Sequence, residues 1–108
     1  MTISTTSNQN TLGYYNLSKF TFQNAATANG NGTVLVNPGY QTITLVATGT
    51  FSASCFAQYS YDNSTWNNIY GVNQANGLMQ YTMTTSNQTV RIHVGNFPYV
   101  RVTVNSYT

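Results

Sequence analysis

Apolar residues recur at every second position along this chain and never with the spacing of a helix. Alternating or β-branched runs cover Leu17 to Phe22, Thr33 to Val36, Thr42 to Thr48, Thr50 to Tyr61 and Trp66 to Val72, then Met79 to Thr84, Thr89 to Val94 and Tyr99 to Val104. Successive side chains point to opposite faces of a strand, so a period of two describes strands with one packed face and one wet face. Between the runs lie Asn29-Gly30-Asn31-Gly32, Asn37-Pro38-Gly39, Asp62-Asn63, Asn73 to Gly77, Ser86-Asn87 and Gly95 to Pro98. Asn, Asp and Gly tolerate positive φ, and Pro presets φ for a turn. About eight strands at roughly 8–12-residue spacing, with no helical segment, predict an all-β fold, a single antiparallel β-sandwich of jelly-roll type.

The 108 residues suit one domain, and folding at this size buries roughly 65% of the unfolded surface, enough for a core without metals or disulfides. Residues 1–13, MTISTTSNQNTLG, are polar and lack the alternation. They are expected to form a flexible N-terminal arm ahead of a sandwich spanning 14–108. Met1, Thr2, Ile3, Ser4, Thr5 and Thr6 are then candidate residues for contacting a neighbouring subunit. No signal peptide and no bilayer-spanning run is legible, so no membrane association is expected.

Charge is nearly absent. Lys19, Arg91, Arg101 and Asp62 are the only charged side chains, for a formal balance of +2. Without a Lys/Arg cluster there is nothing to neutralise phosphates, and nucleic-acid binding is not expected. Edge strands are ordinarily guarded by charge. A chain without such guards is expected to sit in an assembly or to bury its edges, which favours a structural or interaction protein over a diffusing enzyme.

The stretch Ser60-Tyr61-Asp62-Asn63-Ser64-Thr65-Trp66 carries the only Asp and the only Trp. One carboxylate cannot perform paired acid–base work or cage a hard cation. His93 falls out of phase with Val90, Ile92 and Val94 and shares a polar face with Arg91. A Ser-His-Asp triad would need both His93 and Asp62, with no nucleophile elbow to present the serine. No catalytic residue, cofactor or metal ligand is therefore assigned. Asp62-Asn63 reads as the tip of a hairpin. With a loop of two or four residues, Trp66 would share a face with Phe51, Ala53, Cys55 and Ala57 and fill the core. Cys55, the single cysteine, reads as a small buried hydrophobe without a partner. Four Asn-x-Ser/Thr sequons occur, but 15 Asn and 27 Ser or Thr supply that number by chance.

Three segments in order carry a resemblance. Asn37-Pro38-Gly39-Tyr40 leads into Thr42-Ile43-Thr44-Leu45-Val46-Ala47-Thr48-Gly49-Thr50-Phe51-Ser52. The Ser60–Trp66 stretch follows, and Gly95-Asn96-Phe97-Pro98-Tyr99-Val100-Arg101-Val102-Thr103-Val104-Asn105-Ser106-Tyr107 ends the series. Together they resemble a small β-sandwich domain of tailed-phage virion proteins over roughly residues 34–107, with Asn63 standing where that family usually has Gly. The resemblance implies a virion structural role, as a capsid decoration (cement) protein or a tail or baseplate accessory domain. It implies a protein assembled in the host cytoplasm, held by the major capsid protein or another virion protein, as a homo-oligomer or on a lattice. Two other readings stay open. Nine Tyr with many amides suit a carbohydrate-binding module, and the bare edges suit a self-assembling surface filament.

Overall fold

The computed structural model describes residues 1–10, 15–16, 20–37, 39–80, 82–84 and 88–107. Twelve strands run through them: β1 (Thr2–Asn10), β2 (Tyr15–Asn16), β3 (Thr21–Gln23), β4 (Leu35–Val36), β5 (Tyr40–Thr48), β6 (Ser54–Ser60), β7 (Asn67–Asn68), β8 (Gly71–Asn73), β9 (Met79–Gln80), β10 (Thr82–Met83), β11 (Thr89–His93) and β12 (Tyr99–Asn105). They build two antiparallel sheets. The larger runs β2-β1-β5-β11-β8-β9, with β3 also on β1; the smaller runs β10-β6-β12-β4, with β7 also on β6. No helix occurs among the described residues. The protein is an all-β antiparallel sandwich.

Alternation makes the core. Along β5, Ile43, Leu45 and Ala47 are buried while the residues between them are not. With Ile3, Val90 and Ile92 they form the inner face of the larger sheet, against Cys55, Ala57, Val100, Val102 and Val104 of the smaller one. Phe22 closes one flank with Phe20 edge-on at 4.8 Å. The buried Gln23 amide is bonded, as a polar group shut away from water needs to be: it donates to the carbonyls of Gly30 (3.2 Å) and Val102 (2.7 Å). Gly71 lets β8 lie close to β11. A Cβ there would strike the Val90 side chain and come within 2.8 Å of Ile92 Cγ2.

The expected N-terminal arm is instead a strand between β5 and the β2/β3 edge. Thr2 to Asn10 pair along nearly the whole of β5, from Thr2 opposite Thr48 to Asn10 opposite Tyr40. Met1, Ile3, Ser4 and Thr5 are buried and Thr2 is half-buried; Thr6 belongs to the same strand, and its side chain lies outside the described part. The polar sequence is tolerated because its hydroxyls are used. Thr5 Oγ1 accepts from the Phe20 amide at 2.9 Å, and the Thr5 amide donates to the Phe20 carbonyl at 2.9 Å. Register shifts in β1 also break the alternation that would have marked it. The boundary at 13/14 falls with the arm: residues 1–10 are part of the sandwich, and 11–14 lie outside the described residues.

Two runs that read as single strands change sheets. Trp66 to Val72 divides into β7, on β6 of the smaller sheet, and β8, on β11 of the larger. Met79 to Thr84 likewise supplies β9 to the larger sheet and β10 to the smaller. Ile69, buried and bonded through its amide to the Ala57 carbonyl (2.8 Å), anchors the first crossing.

The connections carrying Asn-Gly pairs are tied down. Asn29 Oδ1 accepts from the Tyr107 amide (2.8 Å), and the Gly30 amide donates to Val104 (3.2 Å). Asn31 Oδ1 accepts from the Thr103 hydroxyl at 3.0 Å. In the turn after β8, Asn76 Oδ1 accepts from Leu78 (3.0 Å) while the Gly77 amide donates to Asn73 (2.8 Å).

Candidate binding surface

The hairpin that carries Asp62 and Trp66 has an odd loop. Gln58 pairs with Asn68 and Tyr59 with Asn67, so the register continues to Ser60 opposite Trp66 and leaves Tyr61 to Thr65 in the turn. A one-residue change in loop length moves every following side chain to the other face. Trp66 accordingly leaves the core face of Cys55 and Ala57, where an even loop would have put it. It is half-buried on the outer face, where the Arg101 guanidinium lies over its ring at 4.2 Å. Arg101 Nε also donates to Gln58 Oε1 (2.9 Å), and Gln58 Nε2 donates to Asn68 Oδ1 (2.9 Å). Desolvation lowers the Arg101 pKa, yet a guanidinium so placed keeps its charge.

Asp62 holds the turn. Its Oδ1 accepts from the amides of Thr65 (2.8 Å) and Ser64 (2.9 Å) and from the Ser60 hydroxyl (2.9 Å). Asn63 sits in the left-handed region at φ 59°, a conformation Asn tolerates. The Thr65 and Ser64 amides, with the Ser60 hydroxyl, favour the carboxylate and lower the Asp62 pKa to about 2. Cys55 is fully buried, and burial pushes its thiol up to about 11; its Sγ lies 3.4 Å from Met1 Sδ. Among the described residues no group of three His, Cys, Asp or Glu is placed to hold a metal ion.

The sequence marked Asn37-Pro38-Gly39 and Gly95 to Pro98 as turns; the structure sets these β4–β5 and β11–β12 connections side by side at one end of the sandwich. Asn37 fastens the two connections there. Its Nδ2 donates to the carbonyls of Val94 (2.8 Å), Tyr40 (3.1 Å) and Phe97 (3.2 Å), and its Oδ1 accepts from the amides of Tyr40 (2.7 Å) and Gly39 (3.0 Å). The Asn37 amide itself donates to Pro98 at 2.9 Å. Beside this joint opens a cleft of about 410 Å³ lined by Gln41, His93, Gly95, Asn96 and Phe97. A second hollow of about 230 Å³ shares Gly95, Asn96 and Phe97 and adds Asn37, Gly39 and Pro98. Phe97 stacks on Tyr59 with ring centroids 4.0 Å apart, and Tyr61 meets both rings edge-on. In the sequence the one hint was an aromatic inside a Gly-Asn-x-Pro turn.

Among the described residues, large exposed apolar side chains fall in two places: Val36 and Tyr61 flank the start of β12, and Leu78 and Met79 belong to the β8–β9 hairpin, with Tyr70 just ahead of it.

These features define a class: a small antiparallel sandwich whose end loops, fastened by one asparagine, carry a cleft lined by amides, an imidazole and the Phe97 ring. No protein-family model matches the sequence, and no curated protein matches it. Among solved structures, the SPBc2 prophage-derived protein YomS superposes with a TM-score of 0.77 at 20% sequence identity, over 82% of this chain and 80% of that one. The two proteins share a fold.

Proposed function

We propose that this chain is a structural protein of a tailed-phage virion, seated on the capsid surface as a decoration protein. The observation that carries the reading is the likeness to a prophage-derived protein along four-fifths of both chains. The sequence resemblance to virion β-sandwich domains supports it independently, since it rests on particular segments rather than on the fold. With residues 1–5 enclosed in the sandwich, the contact with the major capsid protein falls to surfaces that remain exposed. The β8–β9 hairpin, where Leu78 and Met79 are 65% and 72% exposed, is the proposed footprint; large apolar side chains held in water are characteristic of contact surfaces.

Co-sedimentation of the purified protein with capsids of the source phage, followed by a map of the decorated particle, tests this. Saturable binding with sandwich-sized density at repeating capsid positions is the expected result. Density on the tail would move the protein to the accessory role. Failure to bind, together with absence from purified particles, would remove the virion reading altogether.

A further inference from the structure

We infer that the cleft over Phe97 is a binding site for a neutral saccharide. A volume of about 410 Å³ falls within the roughly 300–1,000 Å³ of small-molecule sites. Among the described residues that line the two hollows there is no Lys, Arg, Asp or Glu, so no fixed charge there calls for an ionic ligand. What it offers is polar and two-sided. Gln41, His93 and Asn96 are exposed, and their side chains make no hydrogen bond to other described residues. Amides donate and accept at once, and so do sugar hydroxyls. Phe97 has one face stacked on Tyr59 and lines both hollows, which suits it to the apolar face of a pyranose ring.

An extended peptide fits less well. Strand addition needs a free sheet edge: β5 and β11, which supply Gln41 and His93, lie inside the larger sheet, each paired on both sides, and the edge at β4 beside the smaller hollow is only two residues long. A proline-rich helix needs a groove lined with several large aromatic residues, and among the described residues the two hollows present one phenyl ring, Phe97, beside the His93 imidazole. The Asn37 bonds hold both connections in place before any ligand arrives, which lowers the ordering cost of binding.

The test uses an array of neutral oligosaccharides of hexoses, pentoses and N-acetylhexosamines, with oligogalacturonates and a proline-rich peptide alongside. Hits are quantified by calorimetry on the full chain. A neutral glycan is expected to bind, and Phe97→Ala to weaken it by about tenfold, the loss of one stacking contact. Phe97→Tyr should retain binding. Gly95→Leu should abolish it by filling the cleft without unfolding the domain, since a Cβ at Gly95 meets Gln41 no closer than 3.6 Å. The proposal is overturned if no neutral glycan binds, if the acidic sugars or the peptide bind better, or if Gly95→Leu folds and binds as before. These results are independent of capsid sedimentation, so either proposal can fail alone.

Discussion

Trp66 and Cys55 show how differently two side chains on one hairpin can be placed. A buried aromatic truncated to Ala costs about 3–5 kcal/mol. Trp66 instead lies on the outer face beneath Arg101, so Trp66→Ala should cost only about 1 kcal/mol, the scale of an exposed cation–π contact. Urea unfolding of the variant measures it. Cys55, enclosed and with its thiol raised to about 11, should resist iodoacetamide in the native protein at neutral pH and react once urea unfolds the chain, because the thiolate is the nucleophile. Asn37 is the most connected side chain of the end loops. Asn37→Ala should cost about 1–3 kcal/mol, since the carbonyls of Val94, Tyr40 and Phe97 would lose a donor. The same urea experiment decides it.

At the level of elements, periodicity told a great deal where one face of a strand is apolar and the other is not. β5, β11 and β12 lie where their alternation put them because Ile43, Leu45, Val90, Ile92, Val100 and Val102 face one core. β1 escaped that reading: Ile3 is its one apolar residue, buried like Met1 just before it, and Ser4 and Thr5 are buried as well. A strand held by backbone pairing and hydroxyl bonds leaves little hydrophobic pattern to see. The cleft escaped for another reason, since Asn37 and Phe97 are sixty residues apart and only the topology joins their loops. Deleting residues 1–10 should therefore abolish folding rather than trim an appendage, with loss of the cooperative urea transition as the readout. At Gly71 the expected effect of Ala is a loss of about 1–3 kcal/mol, the usual cost of overpacking, from collision with β11.

For the molecule as a whole, scarcity of charge governs response to pH. Asp62 is the one side-chain carboxylate. Its folded pKa of about 2 is below the unfolded value of about 3.9, so its contribution is present above the unfolded value and is lost as pH falls through the folded one. Urea midpoints should hold level from neutral pH to about 4 and decline only between about 4 and 2, and Asp62→Asn should remove most of that decline. Scarcity of charge also leaves contact between molecules to shape and apolar area. On the proposed capsid footprint, Met79→Lys, on the exposed edge strand β9, should weaken co-sedimentation with capsids, because a charge replaces apolar contact area there.

The three Asn-Gly pairs give such a surface a chemical clock. Deamidation begins when the glycine amide nitrogen attacks the preceding Asn side chain, and it leaves a carboxylate behind. At Asn29 and Asn76 the side-chain oxygen is held and the following amide is already donating, Gly30 to Val104 and Gly77 to Asn73. At Asn31 the side chain is tied to Thr103, but the Gly32 amide makes no hydrogen bond within the described residues. Ageing should begin there, visible in peptide mass maps of protein stored at mildly alkaline pH. One such event would double the number of side-chain carboxylates and place the new one against β12, so older molecules would separate from fresh ones on isoelectric focusing.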